Sequence, residues 1–171
     1  MTQNHNSTNN GIKLLFVIYL LALCWILLFK LGVRFSYMGE RRVNLVPFNG
    51  RAVLHGETIM NVVIFVPFGM YVGVLFRQWT LGKKYFFFFI TSFLFEALQF
   101  IFKVGAFDIT DIIANTLGGA IGIMIFYAIS KLFGDPLKTK KFIIIIAATG
   151  TVLVLTLLLL LKLNMLPVRY Q

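Results

Sequence analysis

Charged residues divide this chain of 171 residues into five long apolar blocks, each bounded on both sides by a charge. Each block is near the ~20 residues that a helix needs to cross the ~30 Å hydrocarbon core of a bilayer. Because lipid offers no partners to backbone N–H and C=O groups, we expect these blocks to be helices. The predicted spans cover about residues 14–29, 58–76, 85–102, 112–130 and 142–161.

Composition narrows the fold class further. Hydrophobic residues make up 59% of the chain and charged residues 13%, whereas soluble domains average ~45–50% and ~25%. This excludes an ordinary soluble domain and a disordered chain. The sequence predicts an all-α fold, a polytopic membrane helix bundle with about five transmembrane helices. We expect one integral membrane domain over residues 12–166, a disordered N-terminal tail over 1–11 and a short C-terminal tail over 167–171.

The excess of basic residues and their positions indicate which kind of partner the chain contacts. Sixteen Lys and Arg residues against six Asp and Glu residues give a net charge of +10. The bases bracket the apolar blocks and form no stripe interleaved with aromatic residues, so we expect a phospholipid membrane as the partner and no nucleic acid. A single cysteine, Cys24, excludes a disulfide scaffold, and with only His5 and His55 a Cys/His metal site is not expected.

Five spans place the two termini on opposite sides of the membrane. Side A, the side of the N-terminus, holds the loops 77–84 and 131–141, and side B holds the connection 30–57 and the turn 103–111. Each side carries eight bases, so the count alone does not orient the chain. The bases of side A lie in short loops, for which the positive-inside rule holds best. We therefore expect a multi-pass protein of the bacterial cytoplasmic membrane with a cytoplasmic N-terminus.

Polar residues gather at the side B ends of three predicted spans. In the third span, Glu96 and Gln99 lie on one helical face, and Glu96 is roughly 10 Å below the interface at 1.5 Å per residue. At the start of the fourth span, three residues share a face at spacings of three and four. The predicted cluster consists of Asn61, Glu96, Gln99, Asp108, Asp111 and Asn115.

Each of these residues has a structural interpretation as well as a functional one. Asp108 or Thr110 is the expected N-cap of the fourth helix, with Asp111 favoured by the helix dipole. For Asn61 and Asn115 we favour hydrogen bonding between helices. For Glu96 we favour function, because an acid two turns inside a bilayer needs a partner or a cavity.

The acids and the neighbouring arginines suggest two chemistries. Carboxylates bind divalent cations such as Mg²⁺, and the candidate ligands are Glu96, Asp108 and Asp111. Arginine binds phosphate and carboxylate groups, and Arg41, Arg42 and Arg51 lie in the side B connection. The spacing of the two aspartates is too common to establish a metal site, so the cation remains only a possible cofactor.

Two backbone features complete the pattern. Pro67 interrupts the second span and predicts either a kink or a broken helix beside a binding site. In the fourth span, Ala114, Gly118 and Gly122 recur every four residues, a stripe typical of close helix packing in membranes. We interpret this stripe as structural.

Five ordered motifs between residues 14 and 133 resemble the VanZ-like family of bacterial membrane proteins. They are Arg42-x-Asn44-Leu45-x-Pro47-Phe48, Asn61-x-x-x-Phe65-x-Pro67-Phe68-Gly69, Glu96-x-x-Gln99-Phe100, Gly105-x-x-Asp108-Ile109-x-Asp111 and Asn115-Thr116-x-Gly118-Gly119. The order of the motifs makes the resemblance specific, and it adds Asn44 to the candidate site residues. The fifth apolar block carries none of these motifs and resembles the family only in its apolar character.

The resemblance implies low-level resistance to glycopeptide antibiotics that carry a lipid tail, such as teicoplanin, at the cell envelope. It implies no settled mechanism and no catalytic residues. The expected partner is then the lipoglycopeptide or a lipid-linked cell-wall molecule. The alternative function is that of an enzyme or transporter for a lipid-linked or phosphorylated envelope molecule, acting through the acids and arginines. A third interpretation is a structural bundle that assists other envelope proteins.

Overall fold

Five helices and one pair of very short strands make up the fold. The computed structural model describes residues 2–29, 42–48 and 56–162. The predicted all-α bundle is confirmed. In chain order the elements are α1 (Thr2–Phe29), β1 (Val43–Asn44), α2 (Gly56–Leu75), α3 (Leu81–Ile101), β2 (Phe107–Asp108), α4 (Ile109–Phe133) and α5 (Pro136–Lys162).

Three of the helices are long and apolar enough to span a membrane by length and composition. They are α2, α3 and α4, with mean hydropathies of 2.0, 1.3 and 1.9 over their most apolar windows. Helix α1 contains a shorter apolar segment, Gly11–Leu27. The protein is therefore a membrane helix bundle. That α1 and α5 supply the other two spans stays a prediction.

Helix ends differ from the predicted boundaries because capping residues, rather than charges, set them. Helix α3 begins at Leu81, and the hydroxyl of its N-cap Thr80 accepts from the backbone N–H of Lys83 at 3.4 Å. Helix α4 ends at Phe133, and its C-cap Gly134 has a φ of +61°, which glycine readily adopts. Helix α5 starts at Pro136, and the Asp135 carboxylate accepts from the N–H of Leu137 at 2.7 Å.

Helix α1 extends beyond the predicted span at its N-terminal end. Composition predicted a disordered tail over residues 1–11, whereas the structure continues the helix back to Thr2. Adding residues to a formed helix costs much less than nucleating a new one, so a helix formed by the apolar segment from Ile12 can extend toward the N-terminus at little cost.

Helices α2 and α4 form the closest helix pair, and glycines make this possible. A β-carbon built on Gly118 would lie 2.2 Å from the carbonyl oxygen of Val62, and one on Gly122 would lie 2.1 Å from that of Val66. Any side chain at these two positions would force the helices apart. The interpretation of this stripe as a packing surface is confirmed.

Helix α2 runs unbroken through Pro67, so the structure shows no broken helix there. Phe68, one residue further, is fully buried and stacks on Phe16 of α1 with ring centroids 5.9 Å apart. The Tyr19 hydroxyl of α1 donates to the carbonyl oxygen of Ile64 in α2. Aromatic contacts and one hydroxyl therefore attach α1 to the same helix that α4 contacts through its glycines.

The two short strands bring the connection between α1 and α2 onto the turn between α3 and α4. They pair in parallel, with Val43 opposite Phe107 and Asn44 opposite Asp108. The backbone N–H of Phe107 also donates to the carbonyl oxygen of Arg42 at 3.0 Å. This contact joins segments more than 60 residues apart in the chain, and it lies at the side B end of the bundle.

Candidate functional site

Glu96 is the buried centre of the predicted cluster. Its side chain is 1% exposed, and its Oε2 accepts from the backbone N–H of Asp108 at 3.0 Å. A buried carboxylate is costly unless hydrogen-bonded, so this contact stabilises Glu96 in the interior. It also fixes the end of α3 against the start of α4.

Asp108 links three parts of the chain through its backbone and side chain. Its Oδ1 accepts from the backbone N–H of Thr110 at 2.8 Å, which makes Asp108 the N-cap of α4. Its Oδ2 accepts from the side-chain Nδ2 of Asn44 at 3.1 Å. Of the two predicted caps, the structure therefore selects Asp108.

The start of α4 explains why acids gather here. A helix N-terminus carries unpaired N–H groups and a partial positive charge. Asp108 is the cap, Asp111 lies buried in the first turn, and Glu96 accepts the N–H of the cap residue. Three carboxylates thus share the one end of α4 where negative charge is electrostatically favoured. We call these three residues the acidic cluster.

Thr110 has a different role from the predicted cap. Its hydroxyl accepts from the backbone N–H of Phe48 at 3.0 Å. Phe48 has a φ of +56°, a conformation that is unfavourable for a bulky residue. The hydrogen bond from Phe48 to Thr110 secures the end of the segment 42–48, so this segment is attached to α4 at both Asn44 and Phe48.

Asn115 connects α4 to α3 below the acidic cluster. It is fully buried, and its Nδ2 donates to the hydroxyl oxygen of Ser92 at 2.9 Å. This is the hydrogen bond between helices that we favoured for Asn115, whereas Ser92 was not among the predicted site residues. Its spacing of four residues from Glu96 on α3 was the available signal. The Asn115 Oδ1 atom is buried without a hydrogen-bond partner among the described residues.

Gln99 lies on the same side of α3 but contacts a different helix. Its Nε2 donates to the carbonyl oxygen of Leu27 in α1 at 2.5 Å. Its side chain also lies against Gly105 in the turn after α3. Gln99 therefore attaches the end of α1 to the α3–α4 turn, a structural role beside the acidic cluster.

The remaining predicted residues are less closely associated with the acidic cluster. Asn61 is half-buried on α2, and the structure describes no hydrogen bond between its side chain and the other candidates. Arg42 is exposed, with its backbone rather than its guanidinium bonded to Phe107. Arg41 and Arg51 lie outside the described residues.

The structure does not group Glu96, Asp108 and Asp111, the candidate ligands of the possible divalent cation, as a metal site. Within residues 2–29, 42–48 and 56–162, no three His, Cys, Asp or Glu side chains are grouped closely enough to hold a metal ion. Glu96 and Asp108 are joined through a backbone N–H instead. Chemically, the arrangement offers carboxylate acceptors beneath a segment that carries an exposed arginine.

The helices and the acidic cluster together define a polytopic membrane protein with a polar site at one end of its bundle. The family model described as VanZ/LLP1 matches residues 16–132, and the chain belongs to this family. The match covers almost the same residues as the resemblance seen in the motifs. Among curated proteins, Protein VanZ from Enterococcus faecium is 37% identical over 154 residues, which cover 88% of this chain and 94% of that protein. No solved structure matches the chain.

Proposed function

We propose that this protein is an integral protein of the bacterial cytoplasmic membrane that confers low-level resistance to lipid-tailed glycopeptides such as teicoplanin. The observation that carries this proposal is family membership together with 37% identity to Protein VanZ over nearly the whole of both chains. The identity extends through the helices that hold the candidate site.

We further propose that the acidic cluster and the segment 42–48 form the functional part of the molecule. Glu96 is the residue of greatest interest, because its burial at the end of a membrane helix is expensive. Arg42 is exposed on the segment that Asn44 attaches to Asp108. With a cytoplasmic N-terminus, this end faces the outer surface, where a lipoglycopeptide or a lipid-linked cell-wall molecule is encountered.

The experiment compares a susceptible bacterial strain with and without the protein. Expression should raise the minimal inhibitory concentration of teicoplanin and leave that of a glycopeptide without a lipid tail unchanged. An equal change for both drugs, or no change for either, contradicts the proposal. Lipid extracts of the two strains add a second measurement, in which a new lipid or glycan species would indicate an enzyme instead.

A matched pair of substitutions tests the site. Glu96→Gln removes the charge of the buried carboxylate while keeping its shape, and Glu57→Gln makes the same change at an exposed position in the first turn of α2. We expect Glu96→Gln to abolish teicoplanin protection at near-normal membrane abundance and Glu57→Gln to retain it. Loss of protection only in proportion to lost protein would make Glu96 structural.

A further inference from the structure

A cleft lies at the side A end of the bundle, opposite the acidic cluster. It has a volume of about 180 Å³ and is bounded by the end of α2, the loop that follows it, α4 and the start of α5. Arg77 and Lys140 line it from the loop and from α5. Val74, Phe126 and Leu137 supply apolar lining. Two cations therefore border a cleft whose remaining lining is largely apolar.

The charge around this cleft is strongly one-sided. The side A segments 77–84 and 131–141 carry seven Lys and Arg residues, of which Lys84 alone is fully buried, and a single acid, Asp135. The Asp135 carboxylate caps α5, where it accepts from the backbone N–H groups of Leu137 and Lys138 at 2.7 and 3.4 Å. The excess of bases favours an anionic ligand.

The position of the cleft specifies what kind of anion it suits. Helix α2 ends at Leu75, α4 ends at Phe133 and α5 begins at Pro136, so the cleft lies at the level where the apolar helices terminate. In a membrane this is the headgroup level, where a ligand has a charged end toward water and an aliphatic end toward the hydrocarbon. Basic pockets between membrane helices bind phospholipid headgroups at this depth.

We propose that this cleft binds one anionic phospholipid. The headgroup phosphate is held by Arg77 and Lys140, and the first methylene groups lie against Val74, Phe126 and Leu137. Arginine suits the phosphate because its planar group donates two parallel hydrogen bonds. The volume is below the ~300–1,000 Å³ of pockets that enclose whole drug-sized ligands, in keeping with a site for a headgroup and the first methylene groups rather than a whole lipid.

This inference is independent of the resistance activity, since the cleft and the acidic cluster lie at opposite ends of the bundle. The test uses the full-length purified protein in a neutral detergent, with short-chain dioctanoyl phosphatidylglycerol as the probe. Dioctanoyl phosphatidylcholine and glycerol phosphate are the comparison ligands. Binding is measured by native mass spectrometry and by the shift of the melting temperature.

Two double variants separate the cleft from the general positive charge. Arg77→Gln with Lys140→Gln removes both cations of the cleft. Lys131→Gln with Lys138→Gln removes the same charge from exposed positions at the same end that do not line the cleft. The expected result is that phosphatidylglycerol binds, and that the cleft variant weakens this binding about tenfold or more while the control pair changes it much less. Equal weakening in both double variants would overturn the proposal, as would equal binding of phosphatidylglycerol and phosphatidylcholine.

A further variant tests the apolar part and does not alter charge. Leu137→Ser replaces a largely exposed side chain, so the fold should be retained. It should weaken phosphatidylglycerol binding and leave any glycerol phosphate binding unchanged. If glycerol phosphate binds as tightly as phosphatidylglycerol, the site recognises a free phosphate and the lipid assignment is wrong. A melting temperature of each ligand-free variant close to that of the parent protein excludes misfolding as the cause.

Discussion

Asn44 and Asp108 are joined twice, because they are opposite each other in the parallel strand pair and the Asn44 Nδ2 donates to the Asp108 Oδ2 at 3.1 Å. Asp108 is at the same time the N-cap of α4 and the residue whose N–H is accepted by Glu96. The segment 42–48, helix α3 and helix α4 therefore meet at one residue.

The first prediction separates the cap of Asp108 from its contact with Asn44. Asp108→Ala and Asp135→Ala each remove an N-cap, at a cost of about 0.5–2 kcal/mol in helix stability. Only Asp108→Ala also removes the side-chain hydrogen bond from Asn44 that helps to hold the segment 42–48, so we expect it to lower teicoplanin protection per molecule of membrane protein, whereas Asp135→Ala retains it. Quantitative membrane blots beside susceptibility assays measure this ratio. The same ratio for both variants would show that Asp108 acts as a cap alone.

A second prediction concerns the contact between α2 and α4. Gly118→Ala places a β-carbon only 2.2 Å from the carbonyl oxygen of Val62, so we expect a clear loss of folded protein and a lower melting temperature. Gly150→Ala in α5 is the matched control, because no atom of the described residues lies within 4 Å of a β-carbon built there. Inside a helix, glycine is less favourable than alanine by about 0.5–1 kcal/mol, so we expect Gly150→Ala to leave stability unchanged or to raise it by up to this amount. Similar melting temperatures for the two variants would refute the packing assignment.

The third prediction assigns Asn115 and Ser92 to one hydrogen bond. Asn115→Ala, Ser92→Ala and the double variant form a thermodynamic cycle, measured by thermal unfolding in detergent. Hydrogen bonds between membrane helices contribute roughly 0.6 kcal/mol on average, up to ~1.7 kcal/mol, and we expect a coupling energy within that range. Additive effects of the two substitutions would mean that the contact contributes nothing to stability.

Membrane topology provides a fourth prediction. Gln78→Cys and Lys138→Cys lie in the two side A loops, and Leu45→Cys lies in the segment 42–48 on side B. In a background with Cys24→Ser, a membrane-impermeant maleimide added to intact cells should label the side B cysteine and leave both side A cysteines unlabelled. Labelling of the two side A positions on opposite faces would contradict the bundle topology. Labelling of both, with Leu45→Cys protected, would reverse the orientation.

Helical spacing in the sequence predicted which polar residues share a helix face, but it did not predict the strand pair. The faces shared by Glu96 and Gln99, and by Asp108, Asp111 and Asn115, follow from periodicity within one helix, and the ends of α3 and α4 do bring Glu96 to Asp108. The strand pair was not predicted, because two residues are too few to show a period and their partners are far apart in sequence.

Lys84 illustrates what a charge pattern cannot reveal. It marked the boundary of a predicted span that was expected to begin at residue 85, yet it lies fully buried inside α3. Its Nζ donates to the Tyr127 hydroxyl of α4 at 3.0 Å and lies 5.3 Å from the centroid of the Tyr127 ring. A partner 43 residues away compensates the buried cation, and a single sequence gives no sign of that pairing.

The strand pair also dictates the order in which the molecule can be completed during synthesis. Asn44 leaves the ribosome 64 residues before Asp108, with helices α2 and α3 made in between. Until α4 emerges, the segment 42–48 has neither its strand partner nor the hydroxyl of Thr110 that accepts from Phe48. A chain that stalls before residue 107 therefore contains α1, α2 and α3 but lacks the contacts that hold the acidic cluster and the segment 42–48 together, and these contacts form only after the start of the fourth helix has been made.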